Sequence, residues 1–341
     1  MEDTTVLNHY LAPLRPFLDP EAVTEVVVNR PGEVGVETAG RWCWHEVPDL
    51  TEAWLHTLAV AAAAFTRQDV NAEHPICSTV LPRNERCQIV LPPAVPGGMM
   101  SLTIRKPSSR RMGLEEFEAS GLFATATAVS GHEIDETDAA LIALRQDGDW
   151  PGFFRLAVES RRNILISGAT GSGKTTLAKG LVELIPLHER LLTIEDTREL
   201  TVPHRNAVHL LYAKDGQGLA RTGPRALLES ALRMRPDRIL LQELRDGAAA
   251  FFFLRTVNSG HPGSITTVHA DSAALAFEQL TLLVRESEGG RDLPREDIRN
   301  LLHLMVDVVV QMKKVDGRFR MTEVWHCLLY TSPSPRDLST S

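Results

Sequence analysis

The chain has 341 residues, of which 43% are hydrophobic and 23% charged, a composition that is typical of globular proteins and excludes a disordered or fibrous chain. This length allows two ordinary domains, because a single core rarely grows beyond about 250–300 residues. The formal net charge of −8 argues against a general nucleic-acid-binding protein, since such proteins are usually basic.

The sequence shows no export or membrane-spanning signal. No uncharged apolar run approaches the roughly 20 residues that a transmembrane helix needs. The first residues, Met1 to Thr5, are acidic and polar and lack the basic and apolar regions of a signal peptide. We therefore expect a cytoplasmic protein. No C-x-x-C pair occurs, so we expect reduced thiols and no zinc or redox motif at Cys43, Cys77, Cys87 and Cys327.

The first region, residues 1–105, is predicted to be a smaller mixed α/β domain. The predicted elements, in chain order, are helix 6–17 broken by Pro13 and Pro16, strand 25–29, helix 50–65, and the paired strands 86–91 and 101–105. Residues 106–135 are predicted to be a linker with a short helix, because the sequence after residue 105 becomes basic and polar and is interrupted by proline.

Residues 136–327 alternate between helices and short apolar strands, which predicts a mostly parallel sheet covered on both faces. The predicted helices are 138–144 and 153–161, and the predicted strands are 163–167, 191–194, 207–211, 238–241 and 264–268. The tail 328–341 is rich in Ser, Pro and Thr and is predicted to be disordered or non-native.

A complete G-x-x-x-x-G-K-[ST] motif follows strand 163–167 and precedes a helical segment, which is the context that a phosphate-binding loop requires. Its residues are Gly168, Ala169, Thr170, Gly171, Ser172, Gly173, Lys174 and Thr175, and Thr176 follows in the helix. The glycines allow backbone N–H groups to surround a phosphate, and the helix N-terminus adds positive charge. Lys174 is expected to bind the β- and γ-phosphates, and the Thr175 hydroxyl to bind Mg²⁺. The sequence therefore predicts an Mg²⁺-dependent ATPase.

Three further side chains follow predicted strands and are candidates to complete the site. Glu195 and Glu243 come after strands 191–194 and 238–241, and His269 follows strand 264–268. The carboxyl ends of parallel strands are where ligands bind in open α/β sheets. Hydrolysis needs a carboxylate that orients water and another near Mg²⁺, and a neutral imidazole can contact the γ-phosphate. The alternatives are solvated acids at strand ends and a structural histidine.

Four segments in chain order resemble the Walker A, Asp, Walker B and His boxes of the secretion traffic ATPases: the phosphate loop, 193–200, 232–245 and 260–271. The resemblance is closest to the type IV secretion and conjugation branch (the eleventh VirB component), extends to 25–32 and 81–108, and covers roughly residues 5–327. It implies a RecA-like P-loop NTPase domain beside the smaller N-terminal domain.

The resemblance also implies roles for individual residues. Glu195 is the expected water-orienting carboxylate, Glu243 the Walker B acid that holds Mg²⁺ through water, and His269 the contact on the γ-phosphate side. Because family members bind ATP between the two domains, Arg86 and Arg105 are candidates to reach the phosphates; ordinary strand-surface arginines are the alternative. Arg245 is a candidate to couple neighbouring sites. Gln242 stands where the family usually has glycine, which predicts slower turnover.

For assembly and partners, the resemblance implies a homohexameric ring motor for type IV secretion, conjugative transfer and pilus assembly. Its expected partners are other inner-membrane components and motors of that system, with peripheral membrane contact to which the basic segment 105–111 contributes. A pilus-retraction or type II secretion motor, a DNA-dependent RecA-like NTPase, and a scaffold that binds ATP with little hydrolysis are the alternatives. The acidic balance and the lack of an aromatic and basic stacking surface predict no specific nucleic-acid binding.

Overall fold

The structure is a computed structural model that describes residues 4–107, 113–126, 135–213, 218–257 and 260–326. Parts of the predicted linker, Cys327 and the predicted tail 328–341 lie outside these residues. Among the described residues, no helix combines the length and the apolar character that crossing a bilayer demands.

The first six strands form one antiparallel sheet in the order β3-β2-β1-β6-β5-β4. Helix α3 covers its core, where the side chains of Leu55, Leu58 and Ala62 are buried. The strands are β1 (Val23–Val28), β2 (Glu33–Thr38), β3 (Arg41–Glu46), β4 (Ile76–Val80), β5 (Arg86–Val90) and β6 (Ser101–Arg105). The helices are α1 (Thr5–Leu11), a 3₁₀ turn (Ala12–Leu14), α2 (Arg15–Leu18) and α3 (Glu52–Phe65), and α4 (Leu114–Ala119) lies in the predicted linker.

The remaining strands form a largely parallel sheet in two adjacent parts, β10-β8-β9 and β11-β7-β12-β13. These strands are β7 (Ile164–Gly168), β8 (Leu191–Glu195), β9 (Ala207–Leu211), β10 (Arg238–Leu241), β11 (Ile265–Val268), β12 (Val308–Val315) and β13 (Arg318–His326). The helices are α5 (Glu136–Asp147), α6 (Trp150–Glu159), α7 (Lys174–Val182), α8 (Pro224–Ala231), α9 (Gly247–Val257), α10 (Ala273–Glu286) and α11 (Arg295–Met305). The predicted α/β class is confirmed.

The two parts of the parallel sheet are joined between β10 and β11. The backbone N–H of Leu244 donates to the carbonyl of Thr267 at 2.8 Å, and the Ser264 hydroxyl donates to the carbonyl of Ile239 at 2.9 Å. Every residue of β7, β8, β10 and β11 is buried, because helices cover both faces of the sheet. The carboxyl ends of these four strands consequently lie along one edge.

Arg190, directly before β8, connects the two sheets. Its side chain is fully buried, and its guanidinium donates to the carbonyl of Met234 at 2.8 Å and to Asn29 Oδ1 at 2.9 Å. It also donates to Asn206 Oδ1 and, at 3.2 Å, to the hydroxyl of Thr103. Because Asn29 and Thr103 belong to the first sheet region, one planar donor group ties the N-terminal strands to the start of β8.

Replacing Arg190 by methionine is expected to lower the free energy of unfolding by about 3–5 kcal/mol, because the substitution leaves several buried acceptors without a donor. Urea unfolding measures the change. Arg299→Met is the matched control, since the Arg299 side chain is 55% exposed and its pair with Glu278 is screened by solvent. Equal effects of the two substitutions would contradict the role assigned to Arg190.

Candidate active site

The phosphate loop turns sharply between the end of β7 and the start of α7. Gly171 and Gly173 have φ values of +72° and +92°, which side chains rarely adopt. A Cβ at Gly168 would lie 2.4 Å from the carbonyl oxygen of Met312 and 2.5 Å from Ser172 Oγ. Glycine is therefore required by backbone conformation at two positions and by space at a third.

The loop is built to hold an anion. Ala169, Thr170 and Gly171 are exposed, and Thr175 and Thr176 lie in the first turn of α7, where free N–H groups and the helix dipole favour negative charge. The Ser172 hydroxyl is buried and has no hydrogen-bond partner among the described residues. An orphaned hydroxyl beside an exposed turn at a helix N-terminus fits a phosphate.

Lys174 supplies the positive charge inside this loop. Its side chain is only 8% exposed, and its ammonium donates to the carbonyls of Gly168 at 2.7 Å and Ala169 at 3.1 Å. Burial lowers the pKa of Lys174, and the nearby Glu243 carboxylate opposes that shift. The ammonium is thus partly desolvated and gains from an anion placed against it.

A chain of polar contacts runs from Lys174 across the edge of the sheet. The ammonium lies 3.4 Å from His269 Nδ1, and His269 Nε2 lies 2.5 Å from Glu243 Oε1. Arg245 Nε donates to Glu243 Oε2 at 2.6 Å, and Arg245 Nη1 donates to Asp196 Oδ2 at 3.2 Å. Since an ammonium can only donate, Nδ1 accepts from Lys174. The contact of Nε2 with Glu243 Oε1 is close but lacks hydrogen-bond geometry, and this buried carboxylate oxygen has no hydrogen-bond partner among the described residues.

The parallel strand order explains why these side chains meet. The loop follows β7, His269 follows β11, Glu243 follows β10 and Asp196 follows β8. The structure thus brings together three residues that the sequence selected separately, and it adds an Arg245–Asp196 pair that sequence reasoning did not find. The hydrogen bond between Arg245 and Glu243 is the chief reason why the pKa of Arg245 is raised.

Glu195 has different surroundings from those expected of a water-orienting acid. Its side chain is fully buried, its Oε2 accepts from the backbone N–H of Glu199 and of Leu200 at 2.7 and 2.8 Å, and its Oε1 accepts from the Thr193 hydroxyl. Burial alone would raise the pKa of Glu195, but hydrogen bonds from His209, the two N–H groups and Thr193 hold it below its usual value. This carboxylate stays ionised and fixes the turn that follows β8.

Arg86 and Arg105 lie away from the phosphate loop of the same chain. They are opposite each other on β5 and β6, and they line a cleft with Arg235, which precedes β10. That cleft is at the amino-terminal edge of the parallel strands, whereas the loop is at the carboxyl edge. The sequence placed both arginines near the phosphates, but within one chain the structure does not bring them there.

Gln242, the position that departs from the family pattern, is held through its backbone. Its N–H donates to the carbonyl of Ile194 at 3.2 Å, and its carbonyl accepts from the Thr267 hydroxyl at 2.9 Å. These two bonds link β8 and β11 on either side of β10, so they set the position of the neighbouring Glu243.

Among the described residues, no three or more His, Cys, Asp or Glu side chains cluster in a way that would hold a metal ion. Mg²⁺ in nucleotide sites is typically held by few protein groups together with waters and phosphates. The residues that fit this role are Thr175, at the start of α7, and Glu243, whose side chain is 11% exposed.

Comparisons with known proteins agree with this geometry. The family model described as "Type II/IV secretion system protein" matches residues 144–316. The type IV secretion system protein VirB11 of Bartonella quintana is 50% identical over 335 residues, covering 95% of this chain and 94% of that protein. The chain belongs to the VirB11 family. The VirB11 protein of Brucella suis is 47% identical over 327 residues, covering 94% of this chain and 90% of that protein.

A solved structure extends the VirB11 likeness to three dimensions. The crystal structure of the VirB11 ATPase from the Brucella suis type IV secretion system, in complex with sulphate, has a TM-score of 0.89. The two chains are 45% identical, and the match covers 95% of each. The protein is therefore an ATPase of the type IV secretion family, and the resemblance inferred from the four boxes is confirmed.

Glu25, in the cleft beside Arg105, is only 3% exposed, and its pKa predicts that the stability of the protein depends on pH. Burial raises the pKa of Glu25 from 4.5 to about 7; Arg105 opposes this shift and Glu37 adds to it. Because the folded pKa is raised, the contribution of Glu25 to stability is fully present below the unfolded pKa and is lost as the pH rises through about 7.

Glu25→Gln is accordingly expected to stabilise the protein relative to wild type at about pH 8, and the difference should shrink towards about pH 5. Urea unfolding at both pH values measures it. Glu229→Gln, at a carboxylate that is 46% exposed, is the control and should show no such pH trend. A Glu25→Gln effect that is constant across the pH range would refute the assigned pKa.

Proposed function

We propose that the protein hydrolyses ATP with Mg²⁺ at the phosphate loop, and that it does so as a homohexameric ring motor for type IV secretion, conjugative transfer and pilus assembly. The observation that carries the proposal is the polar chain from Lys174 through His269 to Glu243. A cation, an imidazole and an acid lie side by side at the carboxyl edge of the sheet, and this arrangement supports binding of a γ-phosphate there.

The site has three tasks in this proposal: binding phosphate, holding Mg²⁺ and activating the attacking water. The backbone N–H groups of the loop and the Lys174 ammonium bind the β- and γ-phosphates. The Thr175 hydroxyl and, through water, Glu243 would hold Mg²⁺, which would neutralise charge that develops on the phosphates. The sulphate complex of the Brucella suis VirB11 ATPase supports binding of a tetrahedral oxyanion by this family.

We assign the attacking water to Glu243 in preference to Glu195. Glu243 lies next to His269 in the polar chain. One oxygen of Glu195 accepts from N–H groups of the turn after β8, and the other accepts from Thr193 within β8. A general base has to lie within hydrogen-bond reach of the proton that it accepts, and a fully buried carboxylate with internal donors does not meet this condition. Glu195 is then a positioning residue.

Lys174→Ala is expected to abolish turnover, because the phosphates lose their main cation. Glu243→Gln is expected to retain ATP binding but lose turnover by about 10²-fold or more, since a glutamine amide cannot accept the proton. Glu195→Gln keeps an oxygen for the two N–H donors and is expected to lose far less. Phosphate release and calorimetric titration of ATP measure the two properties.

Full turnover in Glu243→Gln combined with a complete loss in Glu195→Gln would reverse the assignment of the two acids. Equal phosphate release from wild type and Lys174→Ala would reject the phosphate loop as the site of hydrolysis. A wild type that binds ATP without releasing phosphate would favour the scaffold alternative, in which Gln242 blocks turnover.

The position of Arg86 and Arg105 supports a ring. Head-to-tail contacts in a closed ring place one face of each subunit against the opposite face of the next. Since both arginines lie at the edge away from their own phosphate loop, they can meet phosphates only across such a contact. In this proposal, the bound nucleotide therefore couples the position of one subunit to that of its neighbour.

The proposed location is the cytoplasmic face of the inner membrane, with peripheral contact. The basic residues of segment 105–111 would contribute about 1 kcal/mol per charge against anionic lipid; those after residue 107 lie outside the described residues. Other inner-membrane components and motors of the type IV system are the proposed partners, and the net charge of −8 supports the absence of specific nucleic-acid binding.

Light scattering with ATP and Mg²⁺ is expected to give six times the mass of the chain. The Lys174→Ala variant can then be mixed with a double variant that carries both Arg86→Ala and Arg105→Ala. The mixture should regain part of the turnover that each variant lacks alone, because a mixed ring contains interfaces with an intact lysine on one side and intact arginines on the other. A monomeric mass under all conditions would reject the ring. A hexamer in which mixing restores nothing would reject the trans role of the arginines.

A further inference from the structure

The hairpin of β12 and β13 continues past the end of the sheet beside the phosphate loop. β12 pairs with β7 in parallel, with Met312 opposite Gly168, and then extends by three exposed residues to the turn at Asp316 and Gly317. β13 returns antiparallel, with Phe319 opposite Lys314. The tip of the hairpin is therefore next to the loop, on the side of β7 away from β11.

The side chain of Phe319 in this hairpin contacts the loop. A Cβ added at Gly173 would lie 3.0 Å from Cγ and 3.2 Å from Cδ1 of Phe319, so the ring rests against the last glycine of the loop. The side chain nevertheless remains 54% exposed. An aromatic ring that is neither buried nor needed to fill the core lies open beside a phosphate-binding turn.

The direction of a bound nucleotide follows from the strand order. The acid and the imidazole that mark the γ-phosphate end follow β10 and β11, on one side of β7. A nucleotide whose terminal phosphate lies on that side extends its ribose and base across the loop towards β12 and β13. Phe319 is on that path, immediately beside Gly173.

We propose that Phe319 stacks against the purine base of the nucleotide, an inference that rests on the proposed nucleotide site. Stacking on an aromatic ring tolerates different bases, because every base has a π face. Cross-strand neighbours share a face of a hairpin, so the Lys314 side chain lies on the same exposed face and adds positive charge where a phosphate-bearing ligand passes.

Calorimetric titration of the full chain with Mg²⁺-ADP and with Mg²⁺-pyrophosphate tests the proposal, because pyrophosphate lacks the base. In Phe319→Ala, the affinity for ADP is expected to fall by about tenfold, and the affinity for GDP by a comparable factor. The affinity for pyrophosphate is expected to stay within about twofold, since the loop and its lysine are unchanged. The Phe319→Trp variant, in contrast to Phe319→Ala, should retain ADP binding.

Val315→Ala is the matched control, because Val315 is 43% exposed at the tip of the same hairpin. It should leave the affinity for both ligands unchanged. If Phe319→Ala weakens ADP and pyrophosphate equally, the ring only supports the loop and the stacking role is wrong; if it weakens neither, the ring is remote from the ligand. A wild type that binds neither ligand would instead reject the nucleotide site itself.

Discussion

The buried ammonium of Lys174 is the group on which the rest of the site depends. Burying a charge costs several kcal/mol unless other groups compensate it. Two carbonyls of the loop accept from the ammonium, and the Glu243 carboxylate opposes the fall of its pKa. Because Glu243 follows another strand, its opposition to the fall in the pKa of Lys174 depends on how β7 and β10 are placed, with β11 between them.

The same register links the site to the N-terminal sheet. β8 begins directly after Arg190, whose guanidinium holds the first sheet region, and it ends at the turn that places Asp196 against Arg245. A strand of five residues spans about 17 Å. Since Arg245 also donates to Glu243, displacement of the N-terminal strands and displacement of the acid are connected through one rigid element.

The sequence could predict the parts of the fold that follow from local pattern. The strands around the phosphate loop are short, apolar and buried on both faces, so β7, β8, β10 and β11 were found close to their observed ends. β2, β3, β4, β12 and β13 were not identified. The residues of β3 are mostly exposed, and β13 is polar over much of its length, so neither has the apolar run that identified the other strands.

Contacts between segments far apart in the chain could likewise not be predicted from the sequence. Nothing in the local pattern distinguishes Arg190, which is buried, from a surface arginine, and its acceptors are up to 161 residues away. The same holds for Phe319, whose contact with Gly173 depends on the pairing of β12 with β7. The motif identified Lys174, Glu243 and His269 because strand ends in a parallel sheet converge regardless of the side chains between them.

The two glutamates show why residue type and strand position alone do not assign a catalytic role. In the sequence both come after short apolar runs, whereas in the structure Glu195 is the last residue of β8 and Glu243 lies two residues beyond the end of β10. Donors from its own strand, the neighbouring strand and the following turn surround Glu195 and keep it ionised, whereas Glu243 lies between an imidazole and a half-exposed guanidinium. A carboxylate that shares its charge with mobile partners can exchange them for water, and one fixed by backbone N–H groups cannot do so without unfolding its turn.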